Sequence, residues 1–326
     1  AFLPLLLILF CWSWGVYRLG REAISEISPS APPLLLPPKT GRLLVCLLLA
    51  AGIAWSCFMQ IHACRTVYLL YHDWGEYAAD YLRLIREPGR PLIHYLVAGG
   101  HWNPLMTNVM TLALRVFPAP ETIFFLNSLL IYSLVPLVYW LACLLKLPVA
   151  TALFFAAAVL LNPVISNQSL SLFYGYHPIN ALPSLLALFF ISKERGSRTG
   201  MAVCFLLTLL VQETTTVLWF GYALLLISRK RWKSGLLLAA AMVLLFLLLS
   251  RFVIPAAAEM TTYTQMFHYH QLGDSIGEVL LSPFLRPRAF WSTLFAPNNF
   301  DFILCLTLPF FFLLLHGLRN AERFLL

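Results

Sequence analysis

The stretch Tyr71-His72-Asp73-Trp74-Gly75-Glu76-Tyr77-Ala78-Ala79-Asp80-Tyr81 gathers three carboxylates, three tyrosines, a histidine and a tryptophan in a chain that is otherwise largely hydrocarbon. Carboxylates beside an apolar run keep their charge only where water, a cation or a hydrogen-bonding substrate compensates them. A single such carboxylate can take the proton of an attacking hydroxyl during a displacement. The same composition also describes a solvated interfacial loop with its aromatic rings at headgroup level, so the placement of the other polar residues matters.

Four further groups could join this chemistry. Glu213, in Gln212-Glu213-Thr214-Thr215-Thr216, is the only acid between residues 199 and 228. An acid there is expensive in lipid, which predicts a helix–helix turn lining a water-filled cavity; an ordinary polar hairpin turn is the plainer reading. Tyr174-Gly175-Tyr176-His177-Pro178 forms the corresponding turn one hairpin earlier, and His101-Trp102-Asn103-Pro104 opens a helix with Pro near its first turn. The segment 255–298 holds His268-Tyr269-His270, Asp274, Glu278, Arg286-Pro287-Arg288 and Trp291. A cation pair beside an aromatic ring can bind a lipid phosphate or anchor to headgroups.

These groups need elements to hold them, and composition says what kind. Of 326 residues, 60% are hydrophobic and 11% charged, with a mean hydropathy of +0.79. Soluble domains are about 25% charged. Apolar runs of nearly span length recur, and the alternating short strands of a membrane barrel are absent. The fold class is therefore all-α, a polytopic bundle of about nine spans near 1–17, 43–63, 122–145, 148–165, 178–192, 199–212, 214–228, 234–254 and 299–318. Residues 1–42 form an N-terminal span and a Pro-rich linker, 43–318 the main transmembrane domain, and 319–326 a tail. Glu76 to Arg86 forms a short amphipathic helix ended by Pro88-Gly89, Pro91 to Gly100 a loop, and 102–117 an interfacial helix. The seven cysteines lack any C-x-x-C pair and read as small packing residues, with a Cys57–Cys64 disulfide as the lesser possibility.

The net charge of +8 does not mark a nucleic-acid partner, because the bases cluster between apolar runs. If 102–117 does not cross, 14 of the 22 basic residues fall on one side. They include Arg18, Arg21, Lys39, Arg42, Lys146, Lys193–Arg198 and Arg229–Lys233. That excess marks the side as cytoplasmic. His62, His72, His94, His101, His177, His268, His270 and Glu213 then share the outer face with Tyr71–Tyr81. Asp73, His101, His177 and Glu213 are expected to line one pocket there. Asp73 would lie in a tight turn made by His72, Trp74 and Gly75, and Asp80 would face water.

On these residues the chain resembles a bacterial family of predicted polytopic membrane proteins related to the GT-C glycosyltransferase superfamily. The resemblance covers roughly Leu43 to Leu315. It is carried by His72-Asp73-Trp74-Gly75, His101-Trp102-Asn103-Pro104, Tyr174-Gly175-Tyr176-His177-Pro178, Gln212-Glu213-Thr214 and Tyr269-His270-Gln271-Leu272-Gly273. Where the family has Lys-Glu-Asp, this chain keeps only Glu213. The resemblance implies a multi-pass enzyme of the bacterial inner membrane with an extracytoplasmic active face. It would move a sugar from a polyprenyl-phosphate donor to a glycan, lipid or protein acceptor, without a cofactor. Asp73 would be the general base, with Glu213 the second catalytic candidate. His72, Glu76, His101, Tyr176, His177, His268 and His270 would contact substrate. Arg286 or Arg288 would stabilise the departing lipid phosphate.

Two other classes compete. A transporter or flippase would use an outward polar cavity with Glu213 and the histidines, but inverted repeats and midplane polar sites are not evident. A metal-binding membrane protein would use His72, His101, His177, His268 and Glu213, of which only His268-x-His270 has tight ligand spacing.

Overall fold

A computed structural model describes residues 38–66, 72–162, 165, 176–258, 268–297 and 299. The expected span at 1–17 lies outside these residues, as does all of the span expected at 299–318 but its first residue. The chain divides into two compact units, one holding the described residues up to 258 and the other those from 268 onward.

In the first unit, α1 (Pro38–Arg65) is an uninterrupted helix. After it come α2 (His72–Arg86), a 3-10 turn at Leu92–Tyr95 and a minimal hairpin of β1 (Val97–Ala98) and β2 (His101–Trp102). Helices α3 (Pro104–Val116), α4 (Pro120–Tyr132), α5 (Leu134–Leu144) and α6 (Val149–Leu161) follow. A 3-10 turn at Pro178–Ala181 leads into α7 (Leu182–Glu194), then α8 (Arg198–Leu209), α9 (Thr215–Ser228) and α10 (Trp232–Leu248). Among the described residues, three helical stretches are long and apolar enough to cross a membrane: Lys39–Arg65, Pro120–Leu144 and Trp232–Ala257. In the first and third, only 22% of the apolar window is buried. Leu43, Leu47, Phe58, Leu237 and Leu244 point outward. Water would penalise so much outward hydrocarbon, whereas lipid accepts it.

Prolines set the irregularities. Pro136 has no N–H to give the carbonyl of Tyr132, and the helix is interrupted at Ser133 between α4 and α5. The Ser133 hydroxyl lies 2.8 Å from that of Ser184 on α7. A π turn at Leu249–Val253 precedes Pro255 and carries α10 into the short α11 (Ile254–Ala257).

The bundle is cemented by polar side chains inside it. Gln60 on α1 donates to the Ser56 hydroxyl at 2.8 Å and to Ser128 on α4 at 2.9 Å. Asn180 donates to Asn127 at 2.8 Å. All five side chains are buried. Where lipid supplies no hydrophobic drive between helices, such bonds and close packing hold them together. Gly52 permits one close approach, since a Cβ there would meet Tyr132 and Leu160 at 2.8 Å. Cys57 and Cys64 are both free thiols on α1, so the disulfide considered for them does not form.

The turns alternate in character. Lys193–Arg198 and Arg229–Lys233 lie at one end of the bundle, where Arg195 stacks over Trp140 of α5. The hairpin, α2, α3 and the Gln212–Thr214 turn lie at the other. There Leu105 donates its N–H to the Leu210 carbonyl at 3.0 Å, closing the end of α8.

The second unit contains α12 (Ile276–Leu285) and α13 (Pro287–Leu294). Ser275 accepts from the Glu278 N–H at 3.2 Å while the Glu278 carboxylate lies 3.3 Å from the Asp274 N–H. The Ser275 hydroxyl thus caps α12, and the Glu278 carboxylate reaches back to the residue before the cap.

Candidate functional site

Three groups of residues meet at the end of the bundle that carries α2. The first is built on the hairpin. Gly99 and Gly100 both have positive φ, 58° and 70°, the conformation that a two-residue type I′ turn demands. The reversal sets His101 and Trp102 against the turn between α8 and α9. Glu213 is wholly buried there. One of its oxygens is 2.7 Å from His101 Nδ1, and the other accepts the Trp102 N–H at 3.0 Å. Gln212 Nε2 lies 3.1 Å from the same Nδ1. The Trp102 indole donates to the Leu209 carbonyl at 2.8 Å. Glu213 therefore ties the hairpin to the membrane bundle, and it does not line open water as the sequence suggested: its compensation comes from protein donors.

The second group is aromatic. Tyr77 and Tyr81 of α2 pack with Tyr176, the ring centres of Tyr77 and Tyr176 lying 5.6 Å apart and nearly perpendicular. His177 stands edge-on to Tyr77 at 6.1 Å. Burial, reinforced by the neighbouring Tyr176 and Tyr77, holds the Tyr81 hydroxyl well above the ordinary tyrosine range, and burial likewise raises Tyr176. Tyr81 and Tyr176 stay neutral, forming a wall rather than an acid–base pair. Gly99 fits under this wall, and a Cβ there would meet the Tyr77 ring at 2.6 Å. Gly99→Ala combines this clash with positive-φ strain and is expected to cost about 1–3 kcal/mol. Gly75→Ala, in α2 with nothing near its would-be Cβ, is expected to leave the protein as stable or slightly more so. Thermal unfolding of both purified variants checks the contrast.

The third group surrounds α2 itself. The helix begins at His72, so the tight turn expected around Asp73 is replaced by helical backbone. Positions 73, 76 and 80 fall on one stripe, because separations of three, four and seven residues return close to the same face. Asp80 is not a solvent residue. It is half-buried and accepts the Gly99 N–H at 2.9 Å, with Arg83 Nη1 at 3.8 Å. Asp80, Arg83, Arg90 and His94 line a polar cavity of about 190 Å³. On the other flank of α2, Gly75, Ala78 and Leu82 join Cys64 of α1 and Phe124 of α4 around an apolar groove of about 270 Å³.

A family profile matches residues 67–320, which is most of the chain and spans all three groups. The chain belongs to the DUF2079 family of predicted membrane proteins. The outward-facing apolar helices of the bundle accord with that description. No curated protein and no solved structure matches the chain.

Within this DUF2079 member the expected site residues of the first unit fall into the groups described above. His101 and Glu213 are bonded, while Tyr176 and His177 sit against Tyr77. Glu76 is exposed on α2. The side chains of His72 and Asp73 lie outside what the structure describes. His268, His270, Arg286 and Arg288 belong to the second unit and are exposed. Arg286 faces Glu278 at 3.4 Å. Among the described residues, no three His, Cys, Asp or Glu side chains gather as metal ligands would. Sequence reading missed Asp80, Arg83, Arg90 and His94 as a set. Their spacing of three to seven residues around Pro88-Gly89 was the available signal, since a chain reversal there folds the later pair back onto α2.

Proposed function

We propose that this protein is an integral-membrane glycosyltransferase of GT-C type. It moves a sugar from a polyprenyl-phosphate donor to an acceptor outside the cytoplasm. One observation carries the reading: α2, joined to the end of a membrane-length helix, has a polar cavity on one flank and an apolar groove on the other. A substrate with a charged, hydroxylated head and a long hydrocarbon tail presents these two chemistries together. The order of motifs that resembles the GT-C relatives supports it further.

On this reading the bundle has about nine spans in a bacterial inner membrane, with the Lys/Arg-rich turns cytoplasmic and α2 outside. Asp73, on the acidic stripe of α2, takes the acceptor proton. The tyrosine wall and His177 stand behind the sugar, and Glu213 with His101 fixes the hairpin that bounds the site. Arg286 and Arg288 remain candidates for contact with the donor or with headgroups.

Native mass spectrometry of the protein purified in a mild detergent tests the ligand directly. A bound species with the mass of a polyprenyl phosphate, with or without a sugar, is expected. Release of phospholipids alone from every preparation would count against the reading.

A further inference from the structure

The cavity beside α2 has a composition that selects a ligand. Two guanidiniums and an imidazole line it against one carboxylate. Glu87 engages Arg90 through its Nε at 2.6 Å. Asp80 and Arg83 stand 3.8 Å apart, longer than a close charge-assisted bond, and Asp80 spends one oxygen on the Gly99 N–H. At about 190 Å³ the space exceeds the ~10–15 Å³ that admits one water. It falls below the ~300 Å³ at which drug-sized pockets begin. The residues come from α2, from the turn after it, from the 3-10 turn and from the hairpin, all within one compact unit. Arginine forks match phosphate oxygens in pairs of parallel bonds.

We infer that this cavity binds a phosphate ester, its phosphate held by Arg83 and Arg90 with His94 beside them and a ligand hydroxyl received by Asp80. Phosphate recognition here stands on the cavity's own residues; only the lipid nature of the ester rests on the function proposed above. It moves the anion contact from Arg286 and Arg288 to residues of the first unit. Asp80 is a carboxylate in a phosphate site, so it selects for the hydroxylated body of the ligand at some cost to bare anion affinity.

The test is calorimetric titration of the full chain in lipid nanodiscs with two probes, inorganic phosphate and farnesyl phosphate. Both are expected to bind, and R83Q/R90Q is expected to weaken both by about tenfold or more. R83K/R90K, which keeps the charge but not the paired bonds, is expected to weaken inorganic phosphate binding, but less than R83Q/R90Q does. This second variant keeps the test decisive if the glutamine pair does not fold. D80N removes a like charge and is expected to tighten inorganic phosphate binding a few-fold, which a purely structural role for Asp80 would not produce. Farnesyl phosphate bound much more tightly than phosphate places the ester on a lipid, and equal affinities place it on a soluble molecule. Failure of both probes to bind the parent chain overturns the inference, as does unchanged binding by a folded R83Q/R90Q. Phosphate binding that persists without any sugar transfer would count against the proposed function and leave this site standing.

Discussion

Replacing Glu213 with alanine is expected to destabilise the protein by about 3–5 kcal/mol, the usual cost of removing one partner from a buried charged or charge-assisted pair. The carboxylate is entirely buried, and its two oxygens serve His101 and the Trp102 N–H. Alanine takes this acceptor away from both donors. It also releases the hairpin from the turn between α8 and α9. For a chain of this size the unfolding midpoint should fall by on the order of 10 °C. Glu213→Gln keeps the shape and one acceptor oxygen, so its loss should be smaller. Combining Glu213→Ala with His101→Ala should cost less than the sum of the two single changes, because the first has already stranded the imidazole. Thermal unfolding of the four purified proteins in one detergent measures this. A Glu213→Ala protein that melts with the parent would remove the tie between hairpin and bundle.

Much of the frame could be read in the residues. The apolar run from Leu43 marked α1, Pro88-Gly89 ended α2, and Pro104 opened α3. The lone acid at Glu213 marked a turn between two short helices. The charge pattern separated the Lys193–Arg198 and Arg229–Lys233 turns from the polar stretch. Gly99-Gly100 is a strong signal for a two-residue reversal, in a stretch that otherwise reads as loop.

What could not be read is tertiary. Nothing local says that Gly99 will lay its N–H on a carboxylate 19 residues earlier, and so Asp80 reads as a solvent residue. Nothing local brings Gln60 to Ser128, 68 residues away. Glu213 illustrates the same gap from the other side. Its cost in lipid was evident, but water and a protein donor compensate a carboxylate equally well, and only packing chooses between them.

Substituting Asp73 by Asn is expected to slow sugar transfer by about 10²–10⁴, the range over which a general base contributes. Asn keeps the size of the side chain and removes its basicity. Asp80→Asn should act differently, because Asp80 is bonded to Gly99 and lines the cavity. Its effect should fall on the apparent affinity for the donor, with the maximal rate changed less. The most direct measurement is transfer of labelled sugar from a polyprenyl-phosphate donor in membranes that carry the parent chain, Asp73→Asn or no copy of the chain, at matched expression. Transfer well above the empty membranes by the parent chain, falling by about 10²–10⁴ in Asp73→Asn, is the predicted result. Transfer no faster than in membranes without the chain would contradict the proposed function, and equal transfer by the parent and Asp73→Asn would remove Asp73 from the reaction.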